Sequence, residues 1–575
     1  MKSASLRPHQ IMLAIGLAFL ITAAWITFGS AWASPKMIPS HMLHLPILLN
    51  TYPLSVSGTV VDSNGPLAGA TVRVKATENK TLSAADGSFT LTGLTAGVPV
   101  SVTAWSEGYF VGWISTVPST LPVTITLRPY YTSDNPDYEW FSHEGDPGSL
   151  SCSHCMPCYT EWQADAHSGA ATNPRFVSMY NGTDLHGNQS PPTEYRCVPD
   201  YGCFPLPPDP SQPYYGPGYK LDFPDTNGNC AACHAPADAA KPGMAYNVDI
   251  NALSEIGQEG VFCEFCHKIG EVTLESQTGL PYVNLPGVLS LRLFRPQADE
   301  QLFFGNFDDV TRRVSYLPLE QQSAFCAPCH FGFFWDVPIY NSYGEWLNSP
   351  YSDPETGQTC QDCHMPAVDY DYIAYPEKGG SIRDRSRIFS HQMPGATDEA
   401  LLQNAVTMTT TAQILQEQLF VQVSLTNDQS GHHVPTDSPL RQLILLVQAY
   451  DDQGHTLTYL AGPTIPDWGG VGDPAAGYYA GLPGTAYAKI LEEAWTGVYP
   501  TGAYWNQVRP LTDNRLAAFE SDIGTYIFTA PQNTFADVQV RLFYRRAFIE
   551  LTDWKDWGVP DILMESNHIV IPKQP

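Results

Sequence analysis

Apolar and polar residues alternate with a period of two in two separate parts of the chain. In the first part the alternating runs are 55–61, 70–74, 88–91, 98–102 and 123–127. Turn-forming triplets divide them, among them Ser63-Asn64-Gly65, Ala85-Asp86-Gly87 and Thr95-Ala96-Gly97. A strand sends successive side chains to opposite faces, so short alternating runs between turns predict a small β-sandwich over residues 55–128. In the second part, 419–425 alternates, 442–450 is a buried-looking apolar run, and 524–528, 536–543 and 568–571 follow. These predict a second, C-terminal β-sandwich over residues 405–573. Residues 34–54 show neither strand nor helix periodicity and read as a linker.

The longest apolar run, 11–26, follows Lys2 and Arg7 and precedes the small-x-small triplet Ala31-Trp32-Ala33. Residues 1–33 therefore read as an export signal, with an uncleaved N-terminal anchor as the alternative. No later run approaches the length of a bilayer span, so contact with a membrane is expected only through an uncleaved N-terminal segment. Composition adds two points. Forty-nine Pro and 45 Gly with 15% charged residues imply many turns and irregular connections. The net charge of −29 argues against nucleic acid and anionic membrane surfaces and favours basic partner proteins.

The chemistry is concentrated between residues 230 and 364, in a Gly/Pro-rich stretch. One pattern occurs there four times: Cys230-x-x-Cys233-His234, Cys263-x-x-Cys266-His267, Cys326-x-x-Cys329-His330 and Cys360-x-x-Cys363-His364. Cys-x-x-Cys-His is the attachment signature of c-type haem, in which two thiols bond the porphyrin and the adjacent His ligates iron. Chance would supply on the order of 0.01 such matches in a chain of this composition. Zinc ribbons do not require His after the second Cys, and a thioredoxin-like pair would occur once, in a βαβ context. Four covalently attached haems c are expected, with His234, His267, His330 and His364 as iron ligands. Such attachment takes place outside the cytoplasm. With the N-terminal segment, it points to a periplasmic or cell-surface location.

Two resemblances extend this reading. "SGTVVDSNGPLAGATVRV", "ADGSFTLTGLTAG" and "VTAWSEGY" resemble the carboxypeptidase regulatory-like domain, a prealbumin-like β-sandwich. That implies a non-catalytic module for spacing, docking or carbohydrate binding. The four motifs with "YTEWQADAHSGAATNPRF" resemble multihaem cytochromes c of the tetrahaem and hydroxylamine-oxidoreductase-related type. The resemblance implies an irregular, mainly helical and loop multihaem domain over residues 137–400, its interior filled largely by porphyrin. "LTNDQSGHHVPTDSPLRQLILLVQAYDDQG" is similar to the β-domain that follows the haems in some of these proteins.

Each haem iron needs a second axial ligand or retains an open face. The resemblance points first to His167, five residues after Trp162, and then to His391 in "SHQMPG". His432 or His433 in "GHHVPT", with His432 preferred, and His143 in "WFSHEG" complete the candidates. Arg383, Arg385, Arg387 and Arg441 could hold propionates, or form a solvated basic face. Of the five remaining cysteines, Cys197 and Cys203 read as a disulfide in an exported chain. Cys152, Cys155 and Cys158 leave three readings open: a fifth haem without the usual proximal His, a disulfide plus a free thiol, or a Cys/His metal site with His154.

The expected function is single-electron transfer along the haems between redox partner proteins, with other copies of the same chain as a further class of partner. The alternative is an oxidoreductase of a small nitrogen or sulfur compound at one five-coordinate haem. Four distal ligands would favour the relay and three would favour the enzyme. No catalytic residue is named, since no convergent acid/base constellation is legible. Lys268 and the many tyrosines permit one without arguing for it.

Overall fold

In the computed structural model the described residues are 54–140, 142–143, 146–297, 300–531 and 535–572. The expected signal or anchor at 1–33 lies outside them, as does the linker up to residue 53.

The first alternating region folds as two four-stranded sheets. One joins Gly65–Pro66, Val56–Asp62 and Ser88–Leu91, with Val123–Thr126 parallel to Val56–Asp62. The other runs in the order Lys80–Leu82, Thr71–Val74, Val100–Trp105, Gly112–Thr116. Val60, Val72, Val102 and Ile125 are fully buried between them, as the period-two pattern requires. Lys80–Leu82 and Gly112–Thr116 extend beyond the predicted runs. Both are edge strands carrying exposed apolar residues, Leu82 and Trp113, so neither has a cleanly buried face to advertise.

This sandwich is not a free module. Phe110 packs with Phe294, Leu302 and Phe304 of the middle region. The buried Asp309 carboxylate pairs with Arg383 at 2.7 Å and accepts the Ala76 backbone N–H at 2.6 Å, while Arg73 pairs with Asp308 at 3.0 Å. Both members of the Asp309–Arg383 pair are buried, so removing one leaves an uncompensated charge. Asp309→Ala is expected to cost about 3–5 kcal/mol in denaturant unfolding. It is also expected to open the 128–137 connection to protease. Unchanged stability and unchanged proteolysis would show that the pair does not fasten the domain.

Residues 137–400 do not form the mainly helical domain expected. Helices are present but short, the longest being Met156–Ala164, and five two-stranded ribbons lie among them in the described residues. The Pro and Gly load ends each helix within one to three turns.

The C-terminal region places two antiparallel sheets over one apolar core. The four-stranded sheet runs Thr407–Leu415, Gln418–Thr426, Ser521–Thr529, Tyr459–Ala461. The five-stranded sheet runs Val508–Asp513, Gly484–Glu493, Gln442–Tyr450, Phe535–Arg545, Ile562–Pro572. Leu419, Val421 and Val423 of the first meet Leu443, Leu445, Val538 and Val540 of the second. Middle and C-terminal regions interlock through buried polar contacts. Arg515 pairs with Glu345 at 2.7 Å, and the fully buried Lys555 ammonium donates to the carbonyls of Ser178 and Thr183 at 3.1 and 3.0 Å. From residue 52 onward the chain is one compact unit, and no helix of the described residues is long and apolar enough to cross a membrane.

Candidate cofactor-binding site

Each Cys-x-x-Cys-His folds as one helical turn. Ala231–His234, Cys263–Cys266 and Cys360–His364 are helical, and in the third motif His330 N–H bonds the Cys326 carbonyl at 3.2 Å. Positions i, i+3 and i+4 of such a turn share one face, so both thiols and the imidazole point the same way. All four turns open on a single cavity of about 2490 Å³. Ligand pockets are ordinarily about 300–1,000 Å³, so this interior has room for several large groups. Burial pushes the Cys230 and Cys266 thiols up to about 12. A hydrogen bond from Cys326 holds Cys360 down to about 7.

Three of the four motif imidazoles face a second imidazole across the cavity. Ring centroids are 6.2 Å apart for His330 and His167, 6.5 Å for His267 and His391, and 6.3 Å for His364 and His432. Two imidazoles ligating one metal from opposite sides put their centroids about 6.3 Å apart, given a metal–nitrogen bond of about 2.0–2.1 Å on each side. The pairs fit a shared axial metal.

The remaining nitrogen of each ring is anchored, which frees Nε2. Nδ1 lies 2.8 Å from the Ala170 carbonyl at His234, 2.7 Å from the Phe304 carbonyl at His267, and 2.7 Å from the Pro394 carbonyl at His364. At His330 the partner is the Asp437 carboxylate at 3.3 Å, and at His167 it is the Asp165 carboxylate at 2.6 Å. His391 Nδ1 is held by the Phe389 carbonyl at 3.3 Å, and His432 Nδ1 by the His433 carbonyl at 2.9 Å. A carbonyl or carboxylate partner takes the Nδ1 proton and fixes the tautomer in which Nε2 carries the lone pair. Burial and the neighbouring His267 lower His391 to about 4, so that ring is neutral. His433 is not paired with an imidazole; its Nδ1 lies 3.6 Å from Glu345.

His234 differs. Its ring stacks on Phe176 at 3.9 Å, and no imidazole faces it among the described residues. Four side chains not singled out from the sequence gather with Arg441 at this part of the cavity wall. Tyr340 donates a hydrogen bond to Tyr504, and burial raises both phenols, with the nearby Cys230 thiol adding to the effect. Arg441 lies within electrostatic reach of Tyr340, Tyr544 and Asp437, and Arg546 within reach of Tyr544 and Arg441. Tyr340 and Tyr504 are 164 positions apart, so no local pattern could have joined them.

The order of the motifs in space departs from their order in sequence. The compact spacing of the motifs within 230–267 and within 326–364 suggests two close pairs, the first motif with the second and the third with the fourth. The third and fourth motifs do meet, with Cys326 within hydrogen-bond reach of Cys360, but Cys233 of the first motif lies within reach of Cys329 of the third. Cys266 lies close enough to Cys326 and Cys329 for their charges to be felt. The third motif is therefore the junction of the other three.

The remaining candidates fall as follows. Cys197 and Cys203 form a disulfide across the hairpin Tyr195–Val198 and Gly202–Pro205. Cys152, Cys155 and Cys158 all line the cavity. No group of three or more His, Cys, Asp or Glu side chains in the described residues is arranged to hold a metal ion. The backbone of His143 forms a short ribbon with residues 146–147, and its side chain lies outside the described residues. Lys268 does not line the cavity: it is fully buried, paired with Glu264 at 3.0 Å and donating to the Leu302 carbonyl at 2.5 Å. It clamps the strand Phe303–Gly305 whose carbonyl anchors His267. Arg383 and Arg387 are held by Asp309 and Glu78, and Arg383 and Arg441 both line the cavity.

Residues 55–128 match the carboxypeptidase regulatory-like domain family, as the first resemblance implied. A search of curated proteins finds no significant match to the chain. Among solved structures, a penta-haem cytochrome c552 from Thermochromatium tepidum aligns over 74% of this chain and 99% of its own, with 19% identity and a TM-score of 0.48. Similarity at that level does not establish a shared fold.

Proposed function

We propose that the chain is an exported multihaem c-type cytochrome that carries single electrons between redox partner proteins. The observation that carries this is the three imidazole pairs, each combining the His of a Cys-x-x-Cys-His turn with a distant His at the spacing of two ligands on one metal. Bound haem supplies a one-electron ferric/ferrous couple whose potential follows axial ligation, burial and hydrogen bonding. The residues do the rest. Paired thiols would fix each group covalently, and anchored imidazoles would present Nε2 to it. The docked N-terminal sandwich is suited to display or attachment at a cell surface, and the net charge of −29 to a soluble partner with a basic face. Protein purified from a host that matures c-type cytochromes is expected to contain four haems per chain, retained after denaturation. A ratio of five would place a further group at the Cys152, Cys155 and Cys158 cluster, and a ratio of zero would overturn the proposal.

A second reading rests on His234. With no facing imidazole among the described residues, an iron held there would keep an exchangeable position, and Arg441, Arg546 and the Tyr340–Tyr504 pair would supply charge and protons to a small nitrogen or sulfur compound. The relay and this reading coexist, since three paired sites would feed one open site.

A further inference from the structure

The seven anchored imidazoles are not anchored alike. At the His167–His330 pair both rings are held by carboxylates: Asp165 at 2.6 Å, its side chain 1% exposed, and Asp437 at 3.3 Å. Asp437 is itself fixed by the Ser342 hydroxyl at 2.7 Å. At the His364–His432 pair the anchors are the carbonyls of Pro394 and His433, with the Ser430 hydroxyl at 3.0 Å, and at His234 the anchor is the Ala170 carbonyl. The His267–His391 pair is intermediate. Its anchors are the Phe304 and Phe389 carbonyls, and the Glu320 carboxylate stands 3.4 Å from His267 Nδ1.

A carboxylate accepting from Nδ1 gives the ring imidazolate character and makes Nε2 a stronger donor, which favours the ferric state. The buried negative charge also favours the more positive oxidation state. Both effects have the same sign, and Arg441 near Asp437 opposes the second at that carboxylate but is not in contact with Asp165. We propose that Asp165 and Asp437 are redox-tuning residues that make the His167–His330 site the lowest-potential site of the set. This rests on the multihaem reading above. The third motif is also the junction at which the others meet through Cys233 and Cys360. The last site to accept an electron thus lies between the sites that accept earlier, and separates them in a partly reduced molecule.

The test is a potentiometric titration followed by electron paramagnetic resonance, with dithionite giving one electron to each ferric site. The planes of His167 and His330 are 71° apart, against 36° and 17° in the other two pairs. Near-perpendicular imidazoles leave the iron orbitals close in energy and give a strongly anisotropic low-spin signal, which identifies this site. In the unmodified protein that signal is expected to vanish last. D165N and D437N are each expected to move its midpoint upward and to leave the other sites in place. Asp165 does not touch Ser342, so D165N remains informative if D437N does not fold. Upward movement of another site, or no movement in D165N, overturns the tuning role. Loss of all haem signals in the unmodified protein would overturn the multihaem reading instead.

Discussion

Replacing Cys326 and Cys329 together by serine is expected to remove one haem and leave most of the chain unfolded. The third motif sits at the centre of the cavity, with its thiols against Cys233 and Cys360 and its His330 between His167 and Asp437. A quarter of the 2490 Å³ interior would stand empty. At about 24 cal/mol per Å³ of cavity, that loss exceeds about 10 kcal/mol, which is comparable with the whole stability of an ordinary domain. The measurement is the yield of soluble, protease-resistant chain. The fourth motif is the control: no residue of the helix Cys360–His364 is buried, so water rather than a void would fill the space its group leaves and the cavity cost does not apply there. Serine at Cys360 and Cys363 is expected to cost one haem and leave a folded protein. Equal yields from the two variants would show that the interior does not depend on its contents.

His432→Ala is expected to convert one low-spin ferric site into a high-spin one. His432 reaches the His364 ring from a loop of the C-terminal region, and its ring is steered by the His433 carbonyl and the Ser430 hydroxyl. The adjacent His433 cannot substitute, since its own ring turns toward Glu345. One of three low-spin signals is expected to disappear, and cyanide, which supplies a strong sixth ligand, is expected to restore a low-spin spectrum. His433→Ala is expected to leave all three signals unchanged. If the two substitutions act the other way round, the assignment of the loop is reversed.

Much of this was legible in the chain because the signals are local. Period-two alternation marked both β-regions, and Cys-x-x-Cys-His is complete within five residues, so one helical turn suffices to aim all three side chains. His167, His391 and His432 could be picked out by their surroundings. Their partners could not, because pairing is set by tertiary packing: His330 meets His167 across 163 positions of sequence. The same applies to the order of the motifs. Adjacent motifs in sequence suggested adjacent pairs; the third and fourth do meet, but the first lies against the third. The mainly helical expectation failed in the middle region because Pro and Gly cut each helix short and the connecting chain pairs into small ribbons. Only Arg441 of the Tyr340, Tyr504, Arg441 and Arg546 constellation stood out in the sequence, since its members come from four segments with no shared spacing.

The most direct measurement is electron paramagnetic resonance on the oxidised protein, read beside its haem-to-chain ratio. A ratio of four is expected, with three low-spin ferric signals from the His167–His330, His267–His391 and His364–His432 sites and one high-spin signal from His234. Four low-spin signals would contradict the open face at His234 and leave a relay alone. Fewer than three low-spin signals would contradict the imidazole pairing itself.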